Sequence, residues 1–563
     1  MPLENHYEIA YFSMEIELES DIPTYSGGLG VLAGDMLRSA ADAGVAMVAV
    51  SLVHRKGYFR QKLDANGQQT ETDDEWRPED RLERLEPVTT VQIEGREVRV
   101  QAWKYVVRGQ WGHDVPVILL DARVDGNSPE DAALTDHLYG GDDRYRLSQE
   151  AILGLGGYQM LAALGLNIRI FHMNEGHSSL LTIGLLEKQL AGQRRQITED
   201  DIHTVRKQCV FTTHTPVPAG HDKFPNSLVG QVLGEQRLAL IEETECCPEN
   251  LLNMTYLGLR FSRYINGVAM HHGDVSQGMF PGYPVHAITN GVDAGRWVSP
   301  EFQKLYDKHI PEWRRDNLYL RYVIKIETAE IGDTHQAAKR TLFQALGKKT
   351  GTSLKEKVLT IGFARRAAQY KRMELLFSDL DRLRGIANNV GPLQIVYGGK
   401  AHPKDEDGKA SIRAVFQAAE ALRGTIEVVY VENYDAQWAG LLTSGVDLWL
   451  NTPHRPFEAS GTSGMKAAMN GVPSLSILDG WWMEGCIEGV TGWAIGSDEL
   501  PDDDQRDEIT SLYDQLERVI VPLYYGTPRK YFEVMRSAIA LNGSFFNTQR
   551  MVRQYVEDAY QAE

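Results

Sequence analysis

Residues 358–363 read VLTIGF, 393–398 LQIVYG, 426–431 IEVVYV, 446–451 VDLWLN and 473–478 PSLSIL. Each is a short run rich in aliphatic, β-branched and aromatic residues, and most are separated by a segment long enough for a helix. Strands that are apolar on both faces must be covered on both, so the pattern predicts a parallel sheet with crossover helices on either side. The first half carries the same signature less regularly. There, 7–14, 45–53, 168–173 and 210–213 read as buried strands, and 145–164 and 178–190 as helices. The stretch 88–122 differs: VTTVQIEG, REVRVQAWKYVV and DVPVILLDA alternate in the manner of an antiparallel β insertion.

Two doubly wound, Rossmann-like α/β domains account for this order, in a chain of 563 residues that is long enough for two large cores. The expected division is 1–295, carrying the β insertion near 88–122, and 296–563. The crossing falls within 290–320, where NGVDAGRWVSPEF leaves a strand for a loop. Ligands of open α/β sheets sit at the carboxyl ends of the strands, so the working site is expected in the cleft between the domains. Beyond residue 504 the pattern returns to helix, and 548–562 fits against either domain.

Composition removes several function classes. The net charge of −19 is spread along the chain and argues against nucleic acid or an anionic membrane as the main partner, since both need a basic surface. The four cysteines show no metal-ligand spacing: Cys246 and Cys247 are adjacent, Cys209 and Cys486 far apart. They read as thiols of a reducing compartment. The N-terminus has no basic segment leading into an apolar core, and the most apolar stretch, 44–53, is far shorter than a membrane span. A soluble cytoplasmic protein is expected.

Three segments carry anion chemistry. YSGGLGVLAGD (25–35) contains Gly28-x-Gly30-x-x-Ala33 at the start of a helical stretch, where free backbone amides suit a phosphate; alone it reads equally well as a tight turn. FARRAAQYKR (363–372) stands directly after a strand and would aim Arg365, Arg366 and Lys371 into the cleft, although such a charge run is also an ordinary solvated face. FEASGTSGMKAAM (457–469) follows another strand, combining Ser460, Thr462, Ser463 and Lys466 with Glu458 at the lip; a capped helix with a snorkelling lysine reads the same way. In HMNEGH (172–177) and FTTHTPVPAGH (211–221), Glu175, His177 and His214 could hold zinc, but HExxH spacing is absent and hydrogen-bonding roles fit better. The pair His271 and His272 reads as packing and surface. No metal is expected.

Taken in order, YSGGLG, HMNEGH, FTTHTPVP, ITNGV, FARRAAQYKR, YGGKA and EASGTSGMK resemble the α-glucan phosphorylases that act on glycogen, starch and maltodextrin. The resemblance runs from about residue 8 to around Trp482 and is similar to the short bacterial or archaeal branch. It implies a glycosyltransferase of GT-B type fold that cleaves terminal α-1,4-linked glucose with inorganic phosphate, retaining configuration and releasing α-D-glucose 1-phosphate, with pyridoxal 5'-phosphate as cofactor. On this resemblance Lys466 carries the cofactor; Thr462, Ser463, Gly28 and Arg365 hold its phosphate, and Tyr434 lies near it. Arg366 and Lys371 take the substrate phosphate. His214 with Asn290, Glu458, Ser460 and Gly461 grips the sugar, and Glu175 and His177 lie toward the acceptor chain. His214 is counted with Arg366 and Lys371 as catalytic.

Two positions depart from the family pattern. Ala368 stands where a histidine is usual and Asp435 where an arginine is usual, which bears on phosphate affinity and its control. The paired carboxylates of retaining glycosidases are not marked in these motifs. The short opening is expected to lack phosphorylation and nucleotide-effector segments, so that AMP should not activate. A homodimer is compatible with the class. Two rivals remain: a retaining nucleotide-sugar glucosyltransferase similar to glycogen synthase, which shares the scaffold, and a non-catalytic glucan-binding descendant.

Overall fold

A computed structural model describes residues 7–190, 195–217, 220–497 and 505–561. The first half builds strands β1 (Ile9–Ser13), β2 (Met47–Leu52), β3 (Arg60–Leu63), β4 (Gln69–Thr72), β5 (Glu83–Ile93), β6 (Arg96–Arg108), β7 (Asp114–Asp121), β8 (Ile170–Asn174), β9 (Cys209–Thr212), β10 (Lys223–Pro225), β11 (Leu251–Asn253), β12 (Tyr264–Gly267) and β13 (His286–Ala287). Nine of them form one sheet in the order β13-β12-β9-β8-β1-β2-β7-β6-β5. Pairings are parallel from β13 to β7, whereas β6 and β5 add on antiparallel, as the alternating 88–122 stretch predicts.

The second half builds β14 (Leu359–Ala364), β15 (Leu393–Gly398), β16 (Glu427–Val431), β17 (Leu448–Asn451), β18 (Ser474–Ile477) and β19 (Gly492–Ile495). They form an all-parallel sheet ordered β16-β15-β14-β17-β18-β19, with the order reversing between β14 and β17. Five of the six strands are the five runs read from sequence. The sixth, β19, is only four residues long, and the ring of Trp482 packs so closely on Gly492 that a Cβ there would stand 2.9 Å from it.

Both sheets are covered on both faces because side chains alternate along each strand. Ala10 and Phe12 of β1 face one core of the first sheet, while Ile9 and Tyr11 face the other. In β17, Leu448 and Leu450 enter the main core of the second half while Trp449 enters the smaller one behind it. The helix expected over 145–164 is Asp143–Ala151 and Gly157–Ala163 joined by a wide turn at Ile152–Gly156, whose residues are buried.

Among the connections that join the halves, three are extended. The chain crosses once through 290–297. It returns at the end: Thr548–Gln554 and Tyr555–Tyr560 leave the second half and pack on the first sheet, where the Tyr560 hydroxyl meets His172 Nδ1 at 2.7 Å and Tyr555 meets Thr212 Oγ1 at 3.1 Å. The third is the β3–β4 hairpin, which reaches across to the second half. Gln61 exchanges hydrogen bonds with Asn433, and Gln69 with Ala401. Its turn passes Gly67 (φ +77°) against Phe416, where a Cβ would stand 2.5 Å from the ring. The Asn66-Gly67 dipeptide is a hairpin signal legible in the sequence.

Candidate active site

Strand β14 ends at Ala364, so Arg365 and Arg366 emerge at its carboxyl edge, beside the point where the strand order reverses. The Arg365 Nη2 and the Lys371 Nζ both donate to Glu458 Oε2 at 2.5 Å. Burial would push the Glu458 carboxyl up; the two cations outweigh it and hold the group at about 2. Glu458 is thus the charged centre of the FARRAAQYKR and FEASGTSGMK segments. Arg365 still has donors to spare, since its Nε and Nη1 are buried without acceptors. Arg366 is exposed and forms no ion pair among the described residues; Tyr370, Tyr58 and Glu15 are ionisable groups that act on it. Lys371 is buried, with its ammonium 4.3 Å from the centre of the Tyr370 ring.

The turn after β17 supplies the opposite lip. Gly461 adopts φ +76°, a conformation glycine enters freely, and a Cβ there would press on Glu458 at 3.2 Å. Ser460 Oγ is buried without a partner. Thr462 precedes the short helix Ser463–Met469, and the Ser463 hydroxyl accepts from Trp449 Nε1 at 3.1 Å. One turn on, Lys466 is buried. Its nitrogen lies 3.7 Å from the centre of the Trp297 ring and donates no hydrogen bond among the described residues. Burial lowers its pKa to about 8.

The glycine loop of the first half is only partly free. Glu15 Oε2 accepts the Ser26 and Gly27 amides at 2.5 and 3.2 Å, so the chain's own carboxylate holds those two donors. Gly28, which begins the helix Gly28–Asp42, faces open space. Tyr25 accepts the Ala436 amide at 3.0 Å, tying this loop to the segment that carries Tyr434 and Asp435. Tyr434 is half-buried, its phenol pushed up by desolvation, and it packs on Gly398. Asp435 acts within its own helix, since its side chain caps Ala436–Gly445 by accepting the Trp438 amide at 2.9 Å. Ala368 is half-buried in extended backbone and its carbonyl accepts the Lys371 amide at 2.9 Å.

Asn174 and Thr212 end adjacent strands β8 and β9, which places the segments after them side by side. His214 Nε2 lies 2.7 Å from Asn174 Oδ1, so it donates, leaving Nδ1 as an acceptor; burial lowers the ring's pKa to about 3 and keeps it neutral. Glu175 (φ +77°) is buried with its carboxylate engaged by the Gly176 and His214 amides and the Thr215 hydroxyl. It therefore shapes the 214–215 turn. His177 is also lowered by burial, to about 4, and lies 3.3 Å from Asp222. Asn290 is buried in the crossing segment with Oδ1 unpartnered. Among the described residues, no three or more His, Cys, Asp or Glu converge as a metal site, and no helix is long and apolar enough to cross a membrane.

Sequence reasoning missed Asp479, on the loop after β18. Its two oxygens accept the Glu458 and Gly480 amides at 2.9 Å each, and burial raises its pKa to about 7. The His271 Nε2 of the other half stands 4.0 Å away. Missed too is a group of charges beside Lys466, the buried Glu17 and Asp35 and the half-buried Arg296, with the buried Asp293 joined to Asp35. Behind them a cavity of about 750 Å³ is lined by Arg38, Lys104, Arg108 and Arg296, but apart from Arg108 these cations are ion-paired.

The model of the carbohydrate phosphorylase family matches residues 9–134 and 234–488. The chain is 38% identical to the maltodextrin phosphorylase of Thermococcus litoralis, over 98% of its own length and 70% of that protein's. It is 33% identical to the glycogen phosphorylase of Aquifex aeolicus, over 98% and 86%. An uncharacterised protein of Methanocaldococcus jannaschii is 30% identical over 98% and 99%.

Proposed function

The chain belongs to the carbohydrate phosphorylase family, and from that premise we propose how its cleft divides the work of an α-glucan phosphorylase. The reaction is the reversible phosphorolysis of terminal α-1,4-linked glucose of glycogen, starch or maltodextrin to α-D-glucose 1-phosphate. The two sheets are read as the halves of a GT-B type enzyme, with 1–295 toward the glucan and 296–563 toward cofactor and phosphate.

The observation that carries this reading is the gathering, at the carboxyl edges of β14 and β17, of donors that the protein itself leaves unfilled. Arg365 has two buried nitrogens, Nε and Nη1, without acceptors, and Lys466 a desolvated amine that donates no hydrogen bond among the described residues. These fit pyridoxal 5'-phosphate: Lys466 would hold its carbonyl, Thr462, Ser463, Gly28 and Arg365 would hold its phosphate, and Tyr434 would lie near it. When bound, the cofactor supplies a phosphate that serves as an acid–base group.

Arg366 and Lys371 bind the substrate phosphate. Lys371 must exchange its contact with Glu458 for that anion, which frees the Glu458 carboxylate to accept a sugar hydroxyl. A dianion held by a guanidinium and an ammonium in a closed cleft interacts far more strongly than in water. The neutral His214 offers Nδ1 as an acceptor to a sugar hydroxyl and, with a pKa near 3, does not serve as a proton donor at neutral pH. Asn290 and Ser460 have polar atoms to spare for the same sugar, and Gly461 lets the backbone approach it. His177 and the Glu175-held turn lie on the acceptor side.

Borohydride treatment of the purified protein followed by peptide mapping should place a pyridoxyl group on Lys466, and glucose 1-phosphate should form only with phosphate present. Unlabelled yet fully active protein, or use of a nucleotide sugar with indifference to phosphate, decides for the glucosyltransferase reading.

A further inference from the structure

Asp35 lies two turns into the helix Gly28–Asp42 and is completely buried. Its Oδ2 accepts the indole N–H of Trp297 at 2.6 Å and the Asp293 amide at 3.2 Å. The face of that same indole receives the Lys466 nitrogen at 3.7 Å. A side chain of the first half is thereby linked through one ring to the lysine of the second, across the segment where the chain passes between them.

The arrangement costs more than a hydrogen bond to tryptophan requires. Asp35 Oδ1 is buried with no hydrogen bond, and its nearest cations, Arg296 and Arg38, stand 3.5 and 3.8 Å away. Asp293 is a second buried carboxyl next to it, and burial together with the neighbouring charge pushes the Asp293 pKa up. A neutral asparagine would accept the indole N–H without leaving an under-satisfied charge in the interior. The charge has Arg296 and Arg38 at ion-pair distance but no hydrogen bond from either, and Lys466 is the desolvated cation beside it on which the same charge acts. The other charges facing that lysine are Glu17, which follows β1 and is ion-paired to Arg296, and Arg296 itself on the crossing segment.

We propose that Asp35 is a positioning residue for Lys466: through the Trp297 indole it fixes the surface on which the lysine nitrogen rests, and its carboxylate sets the charge state of that nitrogen. The inference rests on the reading of Lys466 as the carbonyl-binding lysine. Trp297 blocks one side of the nitrogen, so a carbonyl must approach from the other. Asp35 opposes the desolvation that would otherwise drive the ammonium to lose its proton at lower pH.

The test uses the full chain freed of cofactor, with pyridoxal phosphate added over pH 5 to 10, borohydride fixation and mass mapping of Lys466. Asp35→Asn keeps an acceptor for the indole but removes the charge. It should reach the wild-type extent of labelling with the pH midpoint of the labelling rate moved down by about one unit, because a nearby carboxylate favours the ammonium. Asp35→Ala loses both roles and should label several-fold less. An unchanged midpoint in a well-folded Asp35→Asn protein overturns the inference. If that variant does not fold, Trp297→Phe carries the test: it keeps a ring but removes the N–H, and an undiminished label with normal circular dichroism overturns the positioning role. If wild-type Lys466 takes no pyridoxyl group at all, the cofactor reading fails separately. The midpoint of Lys466 acetylation by acetic anhydride then measures the same shift: a midpoint lower in Asp35→Asn supports the inference, and an equal one overturns it.

Discussion

In the first half of the molecule His54, His172, His177, His214, His221 and His272 are desolvated, with pKa values lowered to about 3 or 4. In the second half Arg365, Arg366, Lys371 and Lys466 bring four cations to the strand ends, with Glu458 as their internal counter-charge. One side of the enzyme is thus built from neutral rings that donate and accept hydrogen bonds, the other from fixed charge. A sugar needs the first and a phosphate the second. On the proposed assignment, the difference is how a protein of net charge −19 would receive phosphate dianions: its cations are gathered on one wall.

Removing charge from the cationic wall should have the largest effect. Arg366, unlike Arg365 and Lys371, has no carboxylate partner among the described residues, so its loss exposes no internal acid, and on the proposed assignment its contribution is to the incoming anion. Arg366→Ala is expected to lower kcat/KM for phosphate by 10²- to 10³-fold, about 3 to 4 kcal/mol of transition-state stabilisation, while leaving folding unchanged. Initial rates of glucose 1-phosphate formation against phosphate concentration measure it. A loss below threefold would place the phosphate away from Arg366 and remove the functional meaning of the contrast.

The neutral wall should instead be the acid-sensitive one. A histidine whose folded pKa lies below its unfolded value of 6.5 binds its proton only in the unfolded chain as pH falls. Its stabilising contribution is complete above 6.5 and is lost progressively down to about 4. Six such rings act in the same direction, whereas Glu458, held at about 2, keeps its contribution until pH drops below about 4.5. Between pH 7 and pH 5 hydrogen exchange should therefore accelerate in β8 and β9, after correction for intrinsic rates, by at least about tenfold relative to β14 and β17. Equal acceleration in both sheets would show that the halves open as one unit.

The same contrast governs what the sequence reveals. The strands of the second half are legible almost to the residue, because a parallel sheet buried on both faces leaves unbroken apolar runs; β15 is read with its observed bounds, 393–398. Strands β12 (YING) and β19 (GWAI) are no shorter than β17 and β18, but a glycine and a lack of an unbroken aliphatic run hide them, while β13 has only two residues. At the site, the residues on glycine-rich turns and charge runs are legible, since each motif is contiguous. Asp35 and Asp293 are not: they meet across a separation of 258 residues, and neither stands in a local pattern that marks a buried acid. Asp479 is hidden likewise, in the ordinary-looking sequence LDGWW. The sequence also places Glu458 at the lip of an anion site without showing that it neutralises Arg365 and Lys371, because that pairing depends on two strand ends being neighbours in space.

Asp479 offers the finest adjustment of the comparison, since it is a titrating acid within the cationic wall and its slope opposes that of the histidines. Its pKa is raised from 3.8 to about 7, so the folded chain holds a proton that the unfolded chain releases between those values. Stability contributed in this way is present below about pH 4 and is lost as pH rises to about 7. Asparagine cannot ionise, which removes the penalty above pH 7, but it has one oxygen where aspartate uses two for the Glu458 and Gly480 amides. One hydrogen bond, worth about 1 kcal/mol, is lost. Asp479→Asn should therefore be more stable than wild type by about 3 kcal/mol at pH 8 and by less than about 1 kcal/mol at pH 5, as read from urea midpoints at the two pH values. A variant whose stability differs from wild type by the same amount at both would mean that Asp479 does not titrate in this interval, and the cationic wall would then have no internal proton site to set against the neutral histidines of the other half.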